Sequence, residues 1–169
     1  MQKSFSQIVG HPAYPGSANY GFGLGFKFNG YTPNLILCYT DSTVNYSGTS
    51  TLVCDSTRWN HVVLTYSPSR VVLYLNGVGD TVNNGPMPVI DLSQTPFQIN
   101  YDVHNGQGSK YKGLIEEVKF YDYALTQEEV REKMHLITDP ATEAGLLKYF
   151  QFNQYDPVSG SVYDVKGNF

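Results

Sequence analysis

The chain has 169 residues, enough for one domain of ordinary size with a proper core, and carries a formal charge of −4. Nucleic acid and anionic membranes need a basic patch, and no cluster of Lys or Arg occurs, so both are excluded as main partners while neutral ligands such as sugars stay open. Fourteen tyrosines, nine phenylalanines and sixteen glycines against 15% charged residues describe short aromatic strands joined by many turns, an all-β chain. No stretch is long and apolar enough to insert in a bilayer, and the N-terminal MQKSFSQ lacks the apolar core of a signal peptide.

In chain order, Ser6 to Gly10 reads as a short strand, followed by a polar loop from His11 to Asn19. In the next strand Phe22, Leu24, Phe26 and Phe28 share one face, while Gly21, Gly23, Gly25 and Lys27 share the other. That second face is nearly bare backbone, where either a neighbouring loop or ring packs or a ligand approaches. Asn29-Gly30 turns the chain into LILCYT, and Ser47-Gly48 is expected to turn it again into TSTLVCD. Cys38 and Cys54, near the ends of these runs, could face each other across a hairpin, as a disulfide in an oxidising compartment or as two buried thiols. Two cysteines are too few for a zinc site without histidines, and the four histidines show no ligand spacing. Asn45-Tyr46-Ser47 fits the glycosylation sequon, a pattern that arises often by chance.

The most apolar stretch runs from Trp59 to Gly77, where two alternating runs flank Ser67-Pro68-Ser69-Arg70 and predict a β-hairpin in the middle of a larger sheet. Trp59, the only tryptophan, is expected to be buried at its entry, and Phe22, Leu24, Phe26, Val62, Leu64, Leu73, Leu75, Val118 and Phe120 to supply most of the core. Asn76-Gly77 ends the second run with a dipeptide that accepts positive φ. Val78 to Thr95, with Pro86, Pro88 and Asn84-Gly85, reads as a long connection. Phe97 to Tyr101 is another short strand, and Asp102 to Ser109 a polar, glycine-rich loop of the kind that carries binding residues.

Leu114 to Tyr121 predicts a strand on which Glu116 shares a face with Leu114, Val118 and Phe120, and so points where the core should be. A carboxylate there is costly unless a cation or backbone N–H groups satisfy it. One helix is predicted from Thr126: Thr126 and Glu129 form a capping box, Leu125 and Val130 a hydrophobic staple, and Val130, Met134 and Ile137 recur on one face. Asp139-Pro140 ends it, Ala141 to Ala144 is a linker, and Gly145 to Phe169 returns to strand chemistry with a turn at Ser159-Gly160.

The succession W-x-H-V-V-L-T-Y, then L-Y-L-N-G, then G-L-I-E-E-V-K-F-Y-D-Y-A-L-T-x-E-E-V, covering Trp59 to Val130, resembles the laminin G-like domains of the concanavalin A-type lectin and glucanase sandwich. The resemblance implies two antiparallel sheets stacked as a jelly-roll sandwich, a short helix after the last main strand, and a binding or adhesion role outside the cell or at its surface. It also implies a calcium ion held by an acidic residue in the position of Glu116. The family's first strands are not found before Ser6, whereas their signature stands at Gly145 to Phe152 and Tyr163 to Asn168. Residues 1–144 therefore form the sandwich, and residues 145–169 are either the first strands of a second repeat or strands completing the first. The completion would occur within the chain or by strand exchange in a dimer, and would bring Asp164 to the calcium site.

The same sandwich carries retaining glucanases, which need two carboxyl groups about 5 Å apart. Here Glu116 is followed on its own face by Val118 and Phe120, and Glu117 by Lys119 and Tyr121, so neither face offers a second carboxylate. No nucleophile turn surrounds any serine, and the chain is expected not to be an enzyme. A non-catalytic module recognising glycans or surface proteins would use Tyr14, Tyr20, Tyr31, Tyr46 and His104 as ring faces, with Asn19, Asn45, Asp102 and Asn105 as polar partners. The alternatives are a structural spacer that mediates protein contacts and an accessory domain of a glycoside hydrolase. Each tyrosine taken singly also suits core or turn packing.

Overall fold

The structure, a computed structural model, describes residues 5–10, 21–40, 45–87, 98–100, 111–135, 139–159 and 161–167. The chain divides into two compact units, residues 1–112 and 113–169. Strands dominate both, all described pairings are antiparallel, and the fold is the predicted all-β one, a sandwich of the concanavalin A-like kind with one short helix among the described residues.

In unit 1 the strands are β1 (Phe5–Gly10), β2 (Gly21–Asn29), β3 (Thr32–Thr40), β4 (Asn45–Val53), β5 (Val62–Ser67), β6 (Arg70–Leu75), β7 (Val78–Asn83) and β8 (Gln98–Ile99). They form a five-stranded sheet in the order β4-β3-β2-β1-β8 and a three-stranded sheet β5-β6-β7. The first sheet pairs Leu24 with Leu37 and Phe26 with Leu35 across β2 and β3. Leu35 and Leu37 are fully buried where β3 adjoins β6, and Val71 and Leu73 of β6 are buried as completely. Leu24, Phe26, Leu73 and Leu75 are core residues as expected, but Phe22, Val62 and Leu64 are only half-buried. Leu64 lies on β5, an edge of its sheet among the described strands, so the predicted hairpin contributes one central strand, β6, and one outer one.

Two expected connections of this unit are strand instead. Val78 to Asn83 is a strand rather than the start of a long connection: Asn76 and Gly77 both take positive φ, 50° and 76°, the geometry of a type I′ turn, and that turn feeds β7 back along β6. Ser47-Gly48 lies inside β4, not at a turn. Gly48 is needed there for closeness, since a Cβ would stand 2.9 Å from Val82 Cβ and 2.7 Å from the Tyr46 hydroxyl. The register then slips, because Ile36 pairs with Thr49 but Asn34 with Val53, so β4 carries two extra residues. That bulge is held from both sides. Asn34 Nδ2 donates to the Leu52 carbonyl at 3.2 Å, and Asp80 Oδ2 of β7 accepts from Thr51 N (2.7 Å), Thr51 Oγ1 (2.8 Å) and Ser50 Oγ (3.0 Å).

Cys38 and Cys54 are free thiols. Cys38 stands opposite Ser47, whereas the Cys54 N–H donates to the carbonyl of Pro33, five residues back along β3. At the rise of a strand this separates the two by about 16 Å, beyond the reach of a disulfide.

Unit 2 contains β9 (Val118–Tyr121), α1 (Gln127–Glu132), β10 (Leu146–Asp156) and β11 (Ser161–Asp164), with β10 between the other two strands. The C-terminal segment thus pairs with β9 of the same chain, Tyr149 opposite Lys119 and Phe150 opposite Val118. β9 starts four residues later than predicted. Glu117 has a φ of 58°, which breaks the alternation before Val118 and leaves Leu114 76% exposed. Val118 and Phe120 are half-buried, and the core of the unit is Tyr149, Val130, Leu146 and Leu125. The helix has the predicted capping box, with Thr126 Oγ1 accepting from Glu129 N and Glu129 Oε2 from Thr126 N, and Leu125 and Val130 are both buried. Met134 is half-buried, and Ile137 lies outside the described residues. No described helix is long and apolar enough to cross a membrane.

Candidate functional site

Three connections gather at one end of unit 1. The Gly30-Tyr31 turn joins β2 to β3, with Gly30 at a φ of 67°. β4 returns to the same end, where Cys54 N bonds Pro33 O at 3.0 Å, and the chain then crosses to the second sheet through residues 55–61. The crossing is fastened to the Asn76-Gly77 turn: His61 N donates to Asn76 Oδ1 at 2.8 Å, and Asn76 N to the His61 carbonyl at 2.8 Å.

Within the crossing nearly every polar side chain is occupied in holding its shape. Asp55 Oδ1 accepts from Thr57 N (2.9 Å) and Thr57 Oγ1 (2.6 Å), while Oδ2 meets Arg58 Nε at 2.5 Å. The Thr57 hydroxyl and N–H, aided by Arg58, hold the Asp55 carboxyl below the usual carboxylate range. Asn60 Nδ2 donates to the carbonyls of Asp55 (2.7 Å) and Arg58 (3.0 Å), and its Oδ1 accepts from Asn76 Nδ2 at 3.4 Å. Inside this frame Trp59 is 56% exposed, which overturns the expectation that it is buried. It precedes β5 and stands between Arg58 and Asn60, whose side chains both serve the loop rather than a core. That polar flank was the available sequence signal. Tyr31 projects fully into solvent at the β2–β3 turn of the same end.

The residues expected to bind are distributed differently. Tyr14, Asn19, Tyr20, Asp102, His104 and Asn105 lie outside the described residues. Asn45 and Tyr46 open β4 opposite Thr40 and Tyr39, at the far end of β3 from Tyr31. Seven or more residues of strand, about 23 Å, separate them, so one small ligand cannot touch both. Tyr46 is half-buried, and its hydroxyl donates to the Val82 carbonyl at 2.5 Å, a bond that ties β4 to β7.

The expected metal ligands form no cage. Glu116 is exposed, contrary to its predicted place in the core, because the chain has not yet entered β9 there. Asp164 is buried, with Oδ1 accepting from Tyr149 N (2.9 Å) and Lys166 N (3.0 Å) and Oδ2 paired with Lys148 Nζ at 3.0 Å. Burial pushes its pKa up, but the Tyr149 N–H, Lys148 and the Lys166 N–H outweigh that and hold it below the usual range. A carboxylate already facing two N–H groups and an ammonium does not fit a calcium ligand. Among the described residues no group of three or more His, Cys, Asp or Glu could hold a metal ion.

The arrangement can therefore present a flat apolar ring on a rigid, locally neutral loop. The laminin G family profile described as the concanavalin A-like lectin/glucanases superfamily matches residues 2–131. No curated protein matches the sequence. Eight solved chains match, among them the S-layer domain-containing protein (residues 221–444) from Clostridium thermocellum ATCC 27405. The likeness to it is 20% in identity with a TM-score of 0.40, over 78% of this chain and 64% of that one, so this chain spans less than two thirds of that chain's length.

Proposed function

This chain belongs to the laminin G-like part of the concanavalin A-like lectin and glucanase superfamily, and from that premise we propose that it is a non-catalytic, extracellular or cell-surface module that binds glycans. Fold alone admits many functions, so the weight rests on the site. The observation that carries the reading is the loop end of unit 1, where Trp59 stands exposed on a hydrogen-bonded frame and Tyr31 is exposed in the β2–β3 turn. Recognition there needs neither a cofactor nor a cation at Glu116 and Asp164. The sequence offers no paired carboxylates on the strand that would carry them in a glucanase, which supports binding without hydrolysis.

A second reading, a spacer that mediates protein contacts, is favoured by the exposed Val53 and Val78. The experiment is a glycan array probed with the full chain, followed by incubation with any hit and analysis of its chain length. Binding without cleavage supports the module. Cleavage makes it an enzyme, and silence across diverse glycans favours the spacer.

A further inference from the structure

We propose that Trp59 is the stacking platform of this module, its indole face receiving the C–H face of a neutral pyranose ring. The inference rests on the glycan-binding reading and assigns it a residue and a ligand class. Four observations carry it.

The first is exposure. Tryptophan gains more from burial than any other side chain, yet the single indole of this chain keeps 56% of its surface in water. The second is rigidity. The loop on either side of Trp59 is fixed through Asp55, Thr57, Asn60 and Asn76, so a ligand need not order it, and the entropic cost of binding falls accordingly. The third is charge. The two oppositely charged groups that flank the indole in the loop, Asp55 and Arg58, are paired with each other at 2.5 Å, so the loop carries no unpaired carboxylate or guanidinium beside the ring. The fourth is size. One indole covers at most about 250 Å², far short of the roughly 1,000 Å² of a specific protein interface but well matched to a sugar ring.

The test uses the full chain as wild type, W59A and W59F. All three are applied to an array of neutral, sulfated and sialylated glycans, the best neutral hit is titrated into each by calorimetry, and wild-type emission is followed with excitation beyond the tyrosine band, where it reports Trp59 alone. The expected result is a saturable change in wild-type emission, a loss of affinity of at least tenfold in W59A, and a smaller loss in W59F, which keeps an aromatic face. Thermal melts of W59A should match the wild type, since an exposed ring contributes little to the core. Should W59A fail to fold, W59F and the wild-type emission decide: emission unchanged at saturating glycan overturns the assignment. Binding that survives W59A, or hits confined to anionic glycans, also overturns it while leaving the glycan-binding reading intact. Silence of the wild type overturns both.

Discussion

Asp80 shows how much a single carboxylate can hold. One of its oxygens gathers the Thr51 N–H and the hydroxyls of Thr51 and Ser50, and Ser50 is only 2% exposed. The Thr51 N–H above all, against some burial and with the two hydroxyls, holds the Asp80 pKa below its ordinary value. A folded-state pKa below the unfolded one means that the stabilisation is complete above the unfolded value of about 3.9, and is lost as pH falls through the folded value. Asp80→Ala exchanges three hydrogen bonds to a carboxylate, two of them exposed, for bonds to water and should cost about 1–2 kcal/mol at pH 7. Urea melts at pH 7 and pH 3 check both statements, because the gap between wild type and variant should narrow in acid. The cysteines make a second test at this scale. Burial pushes the Cys54 thiol up to about 11, so it should alkylate slowly at pH 8, and the intact mass should be the same with and without reductant.

Elements were legible where their signals are local. The capping box of α1 lies within four residues and needs nothing else, and β6 announces itself by an apolar run so dense that it is buried on both faces. Leu73→Ala on β6 should cost about 2–5 kcal/mol in denaturant melts, and Leu64→Ala on β5 distinctly less, because Leu73 is fully buried and Leu64 half-exposed. β7 was illegible because VGDTVN is mostly polar or small, and its place comes from the positive φ of two turn residues rather than from its own pattern. Gly48 misled for a related reason. A glycine required by a neighbour's approach, here Val82 and Tyr46, reads in sequence like a glycine required by a turn. Trp59 reads as core because it leads into an apolar strand, and only the polar roles of Arg58 and Asn60 argue otherwise. Tyr31, beside an Asn-Gly turn, was readable as an exposed loop ring.

At the scale of the molecule, the laminin G signature was readable from Trp59 to Val130, but where the C-terminal strands pair could not be, since non-local pairing leaves no trace in periodicity. β10 lies between β9 and β11, so deleting Gly145 to Phe169 removes the partner on which β9 pairs among the described strands. Hydrogen exchange of that truncated chain should show β9 and α1 unprotected, while β2, β3 and β6 of unit 1 keep their protection. Protection of β9 that survives the deletion would contradict a completing role for the tail. The Asn76-Gly77 turn, finally, bears on how the protein ages. Asparagine followed by glycine is prone to deamidation, in which the next backbone nitrogen attacks the side-chain amide carbon. The Asn76 carboxamide is held through Oδ1 by His61 N and through Nδ2 by Asn60, whereas Asn29, before Gly30, is exposed in an open turn. Peptide mapping after prolonged storage at 37 °C should find isoaspartate at Asn29, beside Tyr31, before Asn76, so that the loop that carries Trp59 stays fastened while the β2–β3 turn wears.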